Sequence, residues 1–178
     1  MPVTADLPRL ALDRGAGRPF PAVAAAYLRE YLDKIRLATA GLGDDELWFR
    51  PAPGTNSVGN LMLHLAGNLS LWLLAGVGGR PFERHRAEEF SADRTHGKAE
   101  LLARLEEVVA ACRGVLAAVE PADLERPAAI QGYETELLDA VVHAVEHMSY
   151  HTGQIVWIAK ELGAGREPLE YYPRHRGE

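Results

Sequence analysis

Apolar residues recur along this chain at intervals of three and four, and four stretches hold that period long enough to predict helices. The first opens at Pro19 and Pro21, places Ala24, Leu28, Tyr31, Ile35 and Ala38 on one face, and stops at Gly41 and Gly43. The second follows Ser57, whose hydroxyl suits an N-cap. It repeats Val58, Leu61, Met62, Leu65, Leu69, Trp72 and Leu73 to about Ala75, ahead of Gly76, Gly78 and Gly79. The third runs from about Lys98 to Val119, with Leu101, Leu105, Val109, Cys112 and Leu116 on its stripe and Pro121 beyond it. The fourth and longest starts near Thr135 and ends at Leu162, with Gly163 as its C-cap.

No segment alternates apolar and polar residues over a useful length, and no Asn-Gly or Asp-Gly turn occurs, so strands are not expected. Four such helices predict an all-α four-helix bundle with long connecting loops at 41–57 and 77–97. Residues 1–178 read as a single domain, with the bundle over about 20–165 and an extended tail from Ala164 to Glu178.

Composition narrows the chemistry. The 178 residues are 47% hydrophobic and 25% charged, enough for one core without staples. Cys112 is the only cysteine, which excludes disulfides, CxxC redox motifs and thiolate-rich zinc sites. Any metal must be held by His, Asp or Glu. A formal charge of −6 has the wrong sign for wrapping a polyphosphate, so nucleic acid is not expected as a partner. The N-terminus lacks the pattern of a signal peptide, and the most apolar window, Leu61 to Val77, is broken by His64, Asn68 and Ser70. The expected location is cytoplasmic, without membrane contact.

The chemistry concentrates in the histidines. His143, His147 and His151 recur at i, i+4 and i+8 on the fourth helix, beside the apolar stripe of Val141, Val145, Met148 and Ile155. Two imidazoles four residues apart can share one ion at about 2.0–2.1 Å. Three cannot, because His143 and His151 are separated by about 12 Å of helical rise. One of the outer pair therefore serves elsewhere, and a further ligand must come from another helix. His64 is the natural donor: it borders the buried stripe of the second helix, with Asn60 and Asn68 one turn to either side. Taken alone, a histidine placed like His64 on an apolar face is more often a hydrogen-bonded core residue than a ligand. His85, His96 and His175 lie in loops or the tail and read as solvated.

Three segments carry a resemblance. Asn56-Ser-Val-Gly-Asn-Leu-Met-Leu-His64-Leu-Ala-Gly-Asn68, then Arg84-His-Arg86-Ala-Glu-Glu-Phe90, then Glu146-His147-Met-Ser-Tyr-His151-Thr-Gly-Gln154-Ile resemble the DinB superfamily. Within it, the chain is similar to a small bacterial branch carrying HLAGN and HxxxHxGQI. The resemblance covers about residues 20 to 165. It implies a four-helix bundle, often a homodimer, with a divalent ion, zinc or nickel, held by His64, His147 and His151. His143 then becomes an outer or packing residue, and Asn60, Asn68 and Gln154, about one turn from the ligands, become candidates to orient a ring N–H or an incoming group.

Some members of the superfamily activate a low-molecular-weight thiol such as bacillithiol or mycothiol for S-transfer, and others are described as metal-dependent hydrolases. A small-molecule substrate or a thiol is the expected partner. A non-enzymatic alternative is a stress-response bundle ordered by its ion. His143-Ala-Val-Glu146-His147 also has the H-x-x-E-H form of inverzincin proteases. Those sites need a further acidic ligand well downstream, and Glu146 points roughly 100° around the helix from His147.

Overall fold

A computed structural model describes residues 17–163. The extended tail expected from Ala164 lies outside the described residues. Helices α1 (Phe20–Thr39), α3 (Val58–Leu69), α5 (Lys98–Ala117) and α6 (Leu137–Leu162) form the bundle. The short helices α2 (Asp44–Leu47) and α4 (Arg86–Ser91) lie in the two long connections. Each of α1 and α3 packs against both α5 and α6, so α1 and α3 sit diagonally across the core. The predicted stripes point inward: Leu28, Ile35, Leu65, Leu69, Leu105, Cys112, Met148 and Ile155 are all buried.

Local chemistry explains the helix ends. The Ser57 hydroxyl accepts the Asn60 N–H at 3.2 Å, while the Asn60 carbonyl oxygen accepts the Ser57 N–H at 3.2 Å, a reciprocal cap that starts α3. Asp44 of α2 accepts the Lys98 N–H at 2.8 Å and so caps α5 from another element.

Helix α3 continues without a break into a π-helical segment, Ser70–Val77. Together they form a stretch long and apolar enough to cross a membrane by composition. It is 83% buried against the rest of the molecule, which makes it the central core helix.

Two details differ from the sequence expectation. Residues Pro127–Ile130 (β1) and Tyr133–Glu136 (β2) pair as an antiparallel hairpin, and α6 consequently begins at Leu137 rather than near Thr135. The turn is Gln131-Gly132, with φ of 55° and 82°, so a two-residue hairpin turn forms without the expected Asn or Asp. Ile130 anchors the hairpin against Gly76, where an added Cβ would overlap its side chain.

Candidate metal centre

α3 and α6 run side by side, and the face of α3 that carries His64 meets the face of α6 that carries His147 and His151. The three imidazoles offer ligand atoms that all lie within 4.8 Å of one another. The Nε2 atoms of His64 and His147 are 3.1 Å apart. Two nitrogens on one tetrahedral ion at about 2.0–2.1 Å would be roughly 3.3 Å apart, so the spacing suits a shared ion. His151 stands edge-on to both, with ring centroids 4.9 Å from His64 and 4.5 Å from His147.

The outer nitrogens decide which atoms are free. His64 Nδ1 is 2.8 Å from Glu89 Oε2 and 3.1 Å from Arg84 Nη2; the shorter contact is to a carboxylate, which can only accept, so Nδ1 carries the hydrogen and, in the neutral ring, Nε2 presents its lone pair inward. His151 Nδ1 likewise donates to Gln154 Oε1 at 2.7 Å, freeing its Nε2. These are the arrangements that ligating histidines use to fix tautomer and ring orientation.

Burial, reinforced by the neighbouring His151, His64 and His143 rings and by Arg84, pushes His147 down to about 3. Burial also lowers His151, although its bond to Gln154 works the other way. Both rings are neutral at pH 7, the form that binds metal.

Glu89 and Arg84 are the residues that sequence reasoning missed. Arg84 grips the Glu89 carboxylate through Nε at 2.7 Å and Nη2 at 2.8 Å. Burial raises the Glu89 carboxyl, but the hydrogen bonds from His64 and Arg84 and the charge of Arg84 outweigh it, and the net shift is downward. Glu89 therefore stays an anion behind His64. Its place depends on a small residue: a Cβ on Gly67 would overlap the Glu89 carboxylate and come within 3.2 Å of Arg84 Nε. Both charged residues lie in a quoted motif, yet only the docking of α4 on α3 reveals what they touch.

The remaining candidates take different places. The Asn60 amide reaches no ring nitrogen. Its oxygen is engaged by Ser57, and its NH2 donates to the carbonyls of Glu89 at 3.0 Å and Ala92 at 2.9 Å, which corrects its expected role to one of anchoring α4. His143 stands outside the cluster, its ring 4.1 Å from that of Trp72. Asn68 is buried, and its Oδ1 has no protein partner. Phe90 packs its ring 4.6 Å from His64. Glu146 is exposed, and its charge acts on His143 and His151.

The described residues supply no activated nucleophile at this cluster. Cys112 is buried in the core and its thiol is pushed up to about 12, chiefly by burial. His96 bonds Glu100 at 2.6 Å, and His85 lies at the exposed start of α4.

The fold and the site define a four-helix-bundle protein with three clustered imidazoles between α3 and α6. The chain belongs to the family described as "Protein of unknown function (DUF1572)", which matches residues 16–167.

Solved structures with the same fold include a conserved protein from Enterococcus faecalis, with TM-score 0.68 and 20% identity over 80% of this chain and 96% of that one. A DinB-like protein from Bacillus cereus has TM-score 0.63 and 17% identity over 82% and 96% of the two chains. YfiT from Bacillus subtilis, described as a probable metal-dependent hydrolase with an unusual four-helix bundle topology, has TM-score 0.66 and 18% identity over 80% and 87%. At these identities the likeness establishes the fold. No curated protein sequence matches the chain significantly.

Proposed function

We propose that His64, His147 and His151 hold one divalent ion, zinc or nickel, and that the protein is a metal-dependent enzyme whose nucleophile is a low-molecular-weight thiol used for S-transfer. The observation that carries this reading is the pair of inward Nε2 atoms 3.1 Å apart, backed by Glu89 and Gln154 on the outer nitrogens of His64 and His151.

Three neutral imidazoles add no charge, so an ion there keeps its full positive charge and an open position for an anion. When bound, a divalent ion supplies a Lewis acid that lowers the pKa of a thiol or water brought to it. The chain's part is to orient the rings, keep His147 and His151 neutral and cover His64 with Phe90. A thiol brought to such an ion would release its proton to solvent, since Glu89, the carboxylate that contacts His64, is already held by His64 and Arg84.

Hydrolysis is the second reading, favoured by the description of YfiT as a probable metal-dependent hydrolase. Metal-loaded protein offered bacillithiol, mycothiol and glutathione with a panel of electrophiles is expected to turn over one thiol preferentially. Turnover is expected to stop on chelation and to persist in Cys112→Ser. Activity that survives complete metal removal, or that disappears in Cys112→Ser with the ion bound, rejects the mechanism. Cleavage of esters or amides without thiol selects the second reading.

A further inference from the structure

Of the three imidazoles in the cluster, two have a partner on the outer nitrogen and one does not. His147 Nδ1 is buried with no protein group in hydrogen-bonding reach. Two other buried polar atoms share that condition on the facing helix, Asn68 Oδ1 and Trp72 Nε1. These residues are 3% and 6% exposed, so bulk water does not serve them. A buried polar atom left unpaired costs roughly 1–3 kcal/mol, and three together call for an explanation.

Their placement is consistent. His64, Asn68 and Trp72 follow one another at successive turns, and the π-helical segment that begins at Ser70 widens the turn bearing Trp72. The widening swings Trp72 back toward the face of His64. Across from them, His64 meets His147, and the Trp72 ring packs at a tilt on His143, whose ring is 5.5 Å from that of His147. Asn68 occupies the turn between these two contacts.

We propose that Asn68, Trp72 and His147 enclose a site for one ordered water that completes the support of His147. This rests on the reading that His147 gives Nε2 to an ion, which leaves the hydrogen on Nδ1. The polarities then balance. The water accepts from His147 Nδ1–H and from Trp72 Nε1–H and donates to Asn68 Oδ1, three bonds of the number buried waters typically make. None of the three atoms has a direct hydrogen-bond partner, and a bridging water serves groups that do not bond one another directly. Asn68 and Trp72 are thus positioning residues that hold the His147 ring through the water, as Glu89 and Gln154 hold the other two rings directly.

The test compares Asn68→Leu, which keeps volume and removes the acceptor, with Asn68→Asp, which keeps the acceptor. Zinc affinity is measured by competition with a chromophoric chelator, and thermal unfolding of the metal-free proteins is measured alongside. Asn68→Leu is expected to unfold without metal close to the wild-type temperature, because an apolar side chain of similar volume offsets the lost hydrogen bond to the water, yet to bind zinc about 10–100-fold more weakly. Asn68→Asp is expected to stay within about threefold of wild type, and Trp72→Phe, which keeps a ring on His143, to weaken binding in the same direction as Asn68→Leu. If Asn68→Leu does not fold, Trp72→Phe carries the comparison. Zinc affinity unchanged in the Leu or Phe variant, or equally weakened in the Asp and Leu variants, overturns the inference while the metal centre stands. A wild-type chain that takes up no zinc overturns both.

Discussion

Two hydrogens, one on His64 Nδ1 and one on His151 Nδ1, determine how those imidazoles can be used. Each is held by an oxygen acceptor, so in the neutral ring, the form that binds a metal, the opposite nitrogen carries the lone pair. His143 has no place in that scheme, since it packs on Trp72 two turns from His151. His147→Ala and His151→Ala are therefore expected to reduce bound metal from about one ion per chain to about a tenth or less, while His143→Ala retains most of it. Elemental analysis after gel filtration decides the matter, and equal loss in all three variants would show the register of the ligands to be wrong. At this scale the sequence was readable as far as the histidine spacing on α6 and the candidate His64, which the fold brings together. The Arg84–Glu89 support was not, because Glu89 lies 25 residues from His64 and nothing in local periodicity links them.

At the scale of elements, the centre depends on how closely α4 can approach α3. Asn60 and Arg50 tie the end of α4 down through the carbonyls of Glu89, Phe90 and Ala92, and Gly67 provides the clearance. Gly67→Ala is expected to expel the Glu89 carboxylate, leave His64 Nδ1 without its acceptor and weaken metal affinity by about 10–100-fold. Calorimetric titration of the folded variant checks this, and an affinity equal to wild type would mean that Glu89 does not support His64. The four long helices were legible because their apolar stripes persist for several turns. Helix α4 spans only six residues, too few to establish a period. The hairpin was hidden because Pro127-Ala-Ala-Ile carries little β-branched character and Thr135 and Glu136 read equally well as the start of α6. The π-helical segment was invisible as well, since Ser70–Val77 is apolar enough that the extra turn width leaves no mark on the pattern.

For the molecule as a whole, the cluster links stability to acidity. His147 titrates near 3 in the fold against an ordinary value of 6.5, and burial moves His143 and His151 in the same direction. Above pH 6.5 these rings are neutral in both the folded and unfolded chain, so they cost nothing. As pH falls through 6.5, the unfolded chain takes up protons that the fold refuses, and stability is lost until about pH 3, where His147 itself protonates. Metal-free protein is expected to melt progressively lower from pH 7 toward pH 4, with a shallower slope in His147→Leu. A melting temperature that stays level or rises over that interval would contradict the burial of neutral imidazoles. The position of the ligands along the chain has one more consequence. His64 and His147 are 83 residues apart, so an ion gripping both closes a loop that takes in the π-helical segment, the whole 77–97 connection with α4, then α5 and the hairpin. Closing a loop that long restrains the unfolded chain by about 4 kcal/mol in the simplest chain-entropy estimate. The centre would then serve as a reversible cross-link, fastened and released by the free-ion concentration rather than by redox chemistry, in a chain whose single cysteine leaves it no disulfide.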